Sequence, residues 1–191
     1  MQRSGLASLG FFYYDFRDDR KQHIYGLLSS LLFQLCDQSD SYYDVMSAFY
    51  STHRNGAQSP SDDKLVQCLM EFLKRPGLRP VYLVIDALDE CRSTPPLSSP
   101  LEKLLSILKD LVCAQLQNLR ICVTSRPEID IKTILGPLAF RSVSLHDEDG
   151  QKKDIMKYIQ SIITMNKNVQ NWNPEHKRLV TDELVKKADG M

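Results

Sequence analysis

Three acidic residues follow one short apolar segment of the chain. Residues 81–85 read Val-Tyr-Leu-Val-Ile, and Asp86, Asp89 and Glu90 come after them. An unbroken apolar run of this length is typical of a strand that is buried on both faces of a parallel sheet. Ligands bind beyond the carboxyl ends of such strands, where one carboxylate can hold Mg²⁺ through water and another can orient a water for attack on a phosphate. The alternative for an isolated pattern of this kind is a strand end followed by solvated loop acids.

A second short strand ends in hydroxyl and guanidinium groups. Residues 119–123 read Leu-Arg-Ile-Cys-Val and lead into Thr124, Ser125 and Arg126, before Pro127 stops the strand. The fixed fork of N–H donors on an arginine matches the oxygens of a phosphate. Arg126 can therefore contact a phosphate or form an ion pair with an acid of the neighbouring strand.

The two segments together resemble motifs of NACHT-type signal-transduction NTPases. VIDALDE is similar to the Walker B motif of that class, and ICVTSRPE is similar to its sensor 1 motif. Within the class, the chain resembles the fungal, nephrocystin-type group, because three further segments are similar to segments of that group: GFFYYDFRDDRKQHIYGLLSSLLFQLC, SVSLHDEDGQKKDIMKYI and the terminal KADGM. The ordered set covers nearly the whole chain.

The resemblance implies a role for each polar residue at the two strand ends. Asp86 is the implied Mg²⁺ ligand, which holds the metal through water. Asp89 and Glu90 are the implied catalytic acids near the terminal phosphate, and one of them polarises the attacking water. The implied nucleotide is ATP or GTP, and Arg126 is implied to distinguish a triphosphate from a diphosphate. The implied nucleotide-binding residues are Thr124, Ser125 and Arg126.

No phosphate-binding loop of the form G-x-x-x-x-G-K-[ST] occurs in the sequence. None of the eight glycines is followed by lysine, although the backbone N–H groups and the lysine of that loop hold the nucleotide phosphates. In the family this loop and its strand precede the segment that starts here near Gly10. The implied sheet therefore lacks one strand, between the strand at 120–124 and a strand near 141–145. We expect a fragment of a longer protein, a partner that supplies the strand or a truncated gene product, and weak nucleotide binding by this chain alone.

The alternation of strand and helix patterns predicts an α/β fold with a parallel sheet. Taken with the resemblance, this is a P-loop NTPase-like three-layer sandwich that lacks the P-loop strand and has a helical C-terminal end. The predicted strands are 9–16, 81–86, 120–124 and one near 141–145. The predicted helices are 22–37, 42–50, one capped by Ser61, one begun by the capping box Ser99-Pro100-Leu101-Glu102, 128–135, one that buries Ile155, Tyr158, Ile159, Ile162 and Ile163, and one begun by Asn173-Pro174. We predict one partial NTPase domain over 1–191, with a sheet core at 1–145 and a helical portion at 146–191.

The composition excludes several classes of protein. The chain carries 24 Lys and Arg against 24 Asp and Glu, so it has no overall basic field for nucleic acid. No apolar run approaches the roughly 20 residues of a membrane span. The five cysteines include no C-x-x-C pair, which indicates reduced thiols in a cytoplasmic protein rather than a disulfide framework or a zinc site. Cys91 follows the acids, a position compatible with exposure.

Three functions are consistent with these residues. The first is part of a nucleotide-dependent signalling switch, with other protein domains or further copies as partners in a larger assembly, and without nucleic acid or membrane. The second is a non-catalytic protein-interaction module derived from that domain. The third, a metal-dependent nuclease that uses the three acids, has little support because the sequence offers no basic track for a nucleic acid.

Overall fold

The computed structural model describes residues 6–53, 56, 58–75, 79–91, 99–144 and 149–188. The chain divides into two compact units, Met1–Ala139 and Phe140–Met191. None of the described helices is long and apolar enough to cross a membrane.

The first unit contains a parallel sheet in which the strands follow their order in the chain. Strands β1 (Ser8–Tyr13), β2 (Val81–Asp86) and β3 (Leu119–Val123) lie in the order β1-β2-β3. Tyr13 lies opposite Asp86, and Ile85 lies opposite Val123. The carboxyl ends of all three strands therefore lie side by side at the same end of the sheet. The predicted α/β fold with a parallel sheet is confirmed.

Helices connect the strands of this unit and follow the last of them. They are α1 (Ile24–Asp37), α2 (Asp40–Thr52), α3 (Asp62–Lys74), α4 (Pro100–Cys113) and α5 (Ile129–Leu135), with short 3₁₀ turns at Asp19–Lys21, Leu88–Glu90 and Gly136–Leu138. The predicted cap of α3 is confirmed, because Ser61 Oγ accepts a hydrogen bond from the Lys64 N–H at 3.4 Å. The predicted capping box of α4 is wrong, because the Ser99 side chain makes no capping hydrogen bond. Proline at the first helical position leaves one donor fewer for a cap to satisfy.

One face of the sheet carries the core, and the other is open. Along β2, Val81, Leu83 and Ile85 are buried, while Tyr82 between them is 39% exposed. The open face also presents Phe11, Tyr13 and Cys122. The prediction that β2 is buried on both faces is therefore wrong among the described residues.

The topology explains this one-sided burial. Both connections, from β1 to β2 and from β2 to β3, step in the same direction across the sheet. Right-handed crossovers in one direction place all their helices on the same face. Gly10 shows the closeness of that packing, since a Cβ there would lie 3.0 Å from Leu31 of α1 and 3.1 Å from Leu83 of β2. The described residues of this unit form two layers, and the third layer predicted from the resemblance has no counterpart among them.

The second unit is helical. It comprises α6 (Asp149–Met165), α7 (Lys167–Gln170) and α8 (Pro174–Ala188), and α6 packs against α8. The predicted strand near 141–145 is not formed over residues 141–144, which are all exposed, and Leu145 lies outside the described residues. The predicted apolar face of α6 is too wide. Tyr158 and Ile162 are 68% and 45% exposed, and only the stripe with four-residue spacing, Ile155, Ile159 and Ile163, is partly buried.

Gly26 in α1 lies against the backbone of the preceding turn. A Cβ at this position would lie 2.6 Å from the Arg20 carbonyl oxygen. We expect Gly26→Ala to lower the free energy of unfolding by about 1–3 kcal/mol, the usual cost of overpacking, although alanine is the better helix former. Gly136→Ala is the matched control, because among the described residues no atom other than those of Gly136 and its immediate surroundings along the chain lies within 4 Å of the added Cβ. Urea denaturation of the two variants checks the prediction, and a Gly26→Ala protein as stable as the parent would contradict it.

Candidate active site at the carboxyl ends of the strands

Asp86 and Thr124 connect the ends of β2 and β3. Asp86 is the last residue of β2, and Thr124 directly follows β3. The Thr124 hydroxyl donates a hydrogen bond to Asp86 Oδ1 and accepts one from the Ala87 N–H at 3.1 Å. The Thr124 carbonyl accepts a further bond from the Leu88 N–H at 3.0 Å. One threonine thus fixes both the carboxylate and the chain that leaves it.

Ala87 gives the chain a sharp change of direction after Asp86. Its φ of 55° and ψ of 50° lie in the left-handed region, which costs an L-residue about 1–2 kcal/mol. The turn buries Leu88 completely and begins the 3₁₀ turn that holds Asp89 and Glu90. Backbone conformations of this kind concentrate at functional sites, where the surrounding structure holds them.

Asp89 binds Arg126 through two contacts. Asp89 Oδ1 accepts a hydrogen bond from the Arg126 backbone N–H at 2.9 Å, and Asp89 Oδ2 lies 3.5 Å from Arg126 Nε. The Asp89 side chain is 10% exposed and the Arg126 side chain 74% exposed. The ion pair that the sequence left open is therefore formed, with a guanidinium that still faces solvent. Ser125 lies exposed between Thr124 and Arg126.

Glu90 contacts the segment that follows β1 and not the segment that follows β3. Glu90 Oε2 accepts a hydrogen bond from the Phe16 N–H at 3.0 Å. Gln22 also binds this segment. Its side chain is buried, with 1% of the residue exposed, and its Nε2 donates a hydrogen bond to the Phe16 carbonyl at 2.7 Å. Within this segment, hydrogen bonds from Arg17 hold the pKa of Asp15 below its usual value. Sequence reasoning missed this contact, because the signal it used was confined to the two strand ends.

Cys91 and Tyr14 lie buried beneath this site. Cys91 is 2% exposed, so the position is not at the surface. Burial raises the pKa of the Cys91 thiol to about 11, and its Sγ lies 3.9 Å from the Gln22 carbonyl oxygen. Burial and the neighbouring Cys91 also raise the pKa of Tyr14, whose hydroxyl has no hydrogen-bond partner among the described residues. A protonated thiol of this kind is a structural group and not a nucleophile.

The donor atoms at Asp86 fit a metal ion that keeps most of its water. No cluster of three or more potential metal ligands occurs among the described residues. Asp86 is exposed, and only its Oδ1 has a protein hydrogen bond in the part of the chain that the structure describes. Mg²⁺ typically binds one or two carboxylates together with water and phosphate oxygens. Asp86 therefore suits Mg²⁺ held with a nucleotide better than Mg²⁺ held by protein alone.

Comparison with known protein families identifies the family of this chain. The family model described as Nephrocystin 3, N-terminal, matches residues 1–126. The chain belongs to this family. The matched part of this nephrocystin-type domain includes the three strands and every polar residue of the candidate site, and it ends at Arg126. No curated protein and no solved structure matches the chain.

The Asp89–Arg126 contact predicts two different stability effects. We expect Asp89→Ala to lower the free energy of unfolding by about 1.5–3 kcal/mol, because it removes a charge-assisted bond to the Arg126 backbone N–H. We expect Arg126→Ala to cost less than about 1 kcal/mol, since it removes only an exposed ion pair. Asp89→Asn keeps an oxygen for the N–H and should fall between them. Equal losses in Asp89→Ala and Arg126→Ala, measured by urea denaturation, would show that the side-chain ion pair and not the backbone bond stabilises this turn.

Proposed function

We propose that this nephrocystin-type domain is part of a nucleotide-dependent signalling switch of the NACHT type that its motifs resemble. The observation that supports the proposal is the direct bonding between the ends of β2 and β3. Asp86 is bound by Thr124, and Asp89 is bound by Arg126. Polar groups of this kind at the carboxyl ends of parallel strands are suited to a phosphate ligand. The proposed setting is a cytoplasmic assembly of protein domains.

Each residue has a proposed task. Asp86 holds Mg²⁺ through water, with its orientation set by Thr124, and the metal neutralises charge on the phosphates when it is bound. Arg126 pairs with Asp89 in the absence of nucleotide. Because the Arg126 side chain is 74% exposed, its guanidinium can turn to a terminal phosphate, while the Arg126 backbone N–H keeps its bond to Asp89 Oδ1. Asp89, released from the guanidinium, and Glu90 then act on the attacking water.

The free edge of β3 is the proposed position for the strand that carries the phosphate-binding loop. The Asn118 carbonyl accepts from the Val81 N–H, and the Thr124 N–H donates to the Ile85 carbonyl. The backbone groups of even-numbered residues of β3 therefore bond to β2. Those of Ile121 and Val123 point outward in the plane of the sheet, on the side of β3 away from β2. No partner for these groups occurs among the described residues. A strand paired there would end beside the segment from Thr124 to Arg126.

The proposal is tested by joining a strand and a phosphate-binding loop to the N-terminus of the chain. We expect this extended protein to bind Mg-ATP or Mg-GTP in calorimetry. Glu90→Gln and Asp89→Asn should then slow hydrolysis while leaving the dissociation constant within about threefold, because these acids act on the water and not on the phosphates. Arg126→Ala should reduce the preference for triphosphate over diphosphate. Arg120→Ala, at the opposite end of β3, is the control and should change none of these values.

An interaction module is the second candidate function. It is favoured by the internal pairing of the acids, since Asp89 is bound to Arg126 and Glu90 to the Phe16 N–H. The aromatic side chains on the open sheet face, Phe11, Tyr13 and Tyr82, also favour it. An extended protein that binds no nucleotide, or acid variants that hydrolyse it at the parent rate, would overturn the switch and support the module.

A further inference from the structure

The outer edge of β1 carries backbone groups that β2 does not use. The Ser8 N–H donates to the Pro80 carbonyl at 2.9 Å, and the Tyr14 N–H donates to the Asp86 carbonyl at 3.1 Å. Even-numbered residues of β1 therefore bond to β2, and the N–H and C=O groups of Leu9 and Phe11 point outward. An unpaired edge of this kind is a template for the strand of another molecule.

Gln34 of α1 and Gln38, the residue that caps the C-terminus of α1, bind these outward groups. The Leu9 N–H donates to Gln38 Oε1 at 2.8 Å, and Gln38 Nε2 donates back to the Leu9 carbonyl at 2.7 Å. The Phe11 N–H donates to Gln34 Oε1 at 3.0 Å, and Gln34 Nε2 donates to the Phe11 carbonyl at 2.8 Å. Each side-chain amide thus makes the pair of bonds that a residue of a neighbouring strand would make.

The spacing of the two elements allows this match. Two residues along a strand rise about 6.6 Å, and four residues along a helix rise about 6 Å. Gln34 and Gln38 are also held from behind. Gln34 Nε2 donates to Ser30 Oγ at 2.8 Å, and Gln38 Nε2 donates to the Gln34 carbonyl at 2.7 Å. The amides are therefore fixed in the orientation that the strand needs.

We propose that Gln34 and Gln38 close the β1 edge against the addition of a strand from a second copy of this chain. The edge needs such protection because Phe11 and Tyr13 expose aromatic surface beside it, at 53% and 47%. The described residues of β3 have no equivalent pair of amides at Ile121 and Val123. The sheet is therefore closed at one edge by side chains and left open to strand pairing at the other.

The double variant Gln34→Met/Gln38→Met tests this proposal, because methionine keeps the length of the side chain and removes the amide. We expect the Leu9 and Phe11 amides to exchange with deuterium at least fivefold faster than in the parent, the factor that corresponds to about 1 kcal/mol per lost bond. We also expect concentration-dependent self-association in sedimentation velocity. Gln67→Met on α3 is the control and should show the parent behaviour in both measurements.

A third substitution identifies the edge that associates. Phe11→Pro, added to the double variant, removes one outward N–H without breaking a bond to β2 and should restore the parent association state. A folded double variant with the parent's association state at every concentration would overturn the proposal, and so would association that survives Phe11→Pro. If the double variant does not fold, deuterium exchange of the Leu9 and Phe11 amides in the parent protein tests the proposal instead. Leu9 and Phe11 amides that exchange as fast as those of the exposed residues 141–144 would show that the glutamines do not close the edge.

Discussion

Mg-ATP and Mg-GTP are expected to bind the 191-residue chain with dissociation constants of about 1 mM or weaker. No glycine of the sequence is followed by lysine, so the loop that makes most phosphate contacts in P-loop proteins is absent from it. Charge-assisted contacts are worth roughly 1.5–3 kcal/mol each. Losing three or four of them weakens a micromolar binder by at least about a thousandfold.

Isothermal titration of the purified chain with each nucleotide checks this expectation. Arg126→Ala is the matched control, because the Arg126 guanidinium is an exposed cation that follows β3 and contacts Asp89 after β2. Parent and control should give the same small heats. Low-micromolar binding by the parent would contradict the prediction and would mean that another part of this chain holds the phosphates.

Phe72→Ala is expected to lower the free energy of unfolding of the first unit by about 3–5 kcal/mol, the usual cost of removing a buried phenyl ring. Phe72 on α3 is 0% exposed. Its ring stacks on that of Tyr42 with 4.6 Å between ring centroids and 16° between planes. The substitution therefore removes the aromatic stack between α2 and α3 and leaves a cavity in the core.

Phe33→Ala on α1 is the matched control for Phe72→Ala. Phe33 is 73% exposed, and its removal should change the free energy of unfolding by no more than about 0.5 kcal/mol. Urea denaturation followed by far-UV circular dichroism measures both variants. Similar losses in the two variants would show that the α2–α3 contact does not stabilise the unit.

The sequence was sufficient to predict the parallel strands and the meeting of their polar ends. Both predictions depend on local patterns, since an apolar run identifies a strand and parallel strands share the edge at which they end. The contact between Asp89 and Arg126 followed from this reasoning as an open alternative. The roles of these residues in binding or hydrolysis stay predictions.

Other features depend on contacts between distant parts of the chain. The bond between Phe16 and Glu90 joins residues 74 positions apart, and the bonds between Leu9 and Gln38 join residues 29 positions apart. Nothing in the local pattern of either partner specifies the other. The one-sided burial of β2 was missed for a related reason. A run such as Val81–Ile85 shows that the strand is apolar, whereas the direction of successive crossovers decides which face is covered.

An exposed cysteine on the open sheet face can report by its reactivity whether that face is covered. Cys122 lies exposed on β3, opposite Val84 of β2, while burial raises the pKa of the Cys68 thiol to about 12 and that of the Cys91 thiol to about 11. At neutral pH an alkylating reagent therefore modifies Cys122 and leaves the two core thiols intact until the unit unfolds. Cys113, exposed at the end of α4, provides the internal reference. A strand, helix or second molecule that covers the sheet would slow alkylation of Cys122 relative to Cys113, so the occupancy of this face can be followed by mass spectrometry on the unmodified sequence.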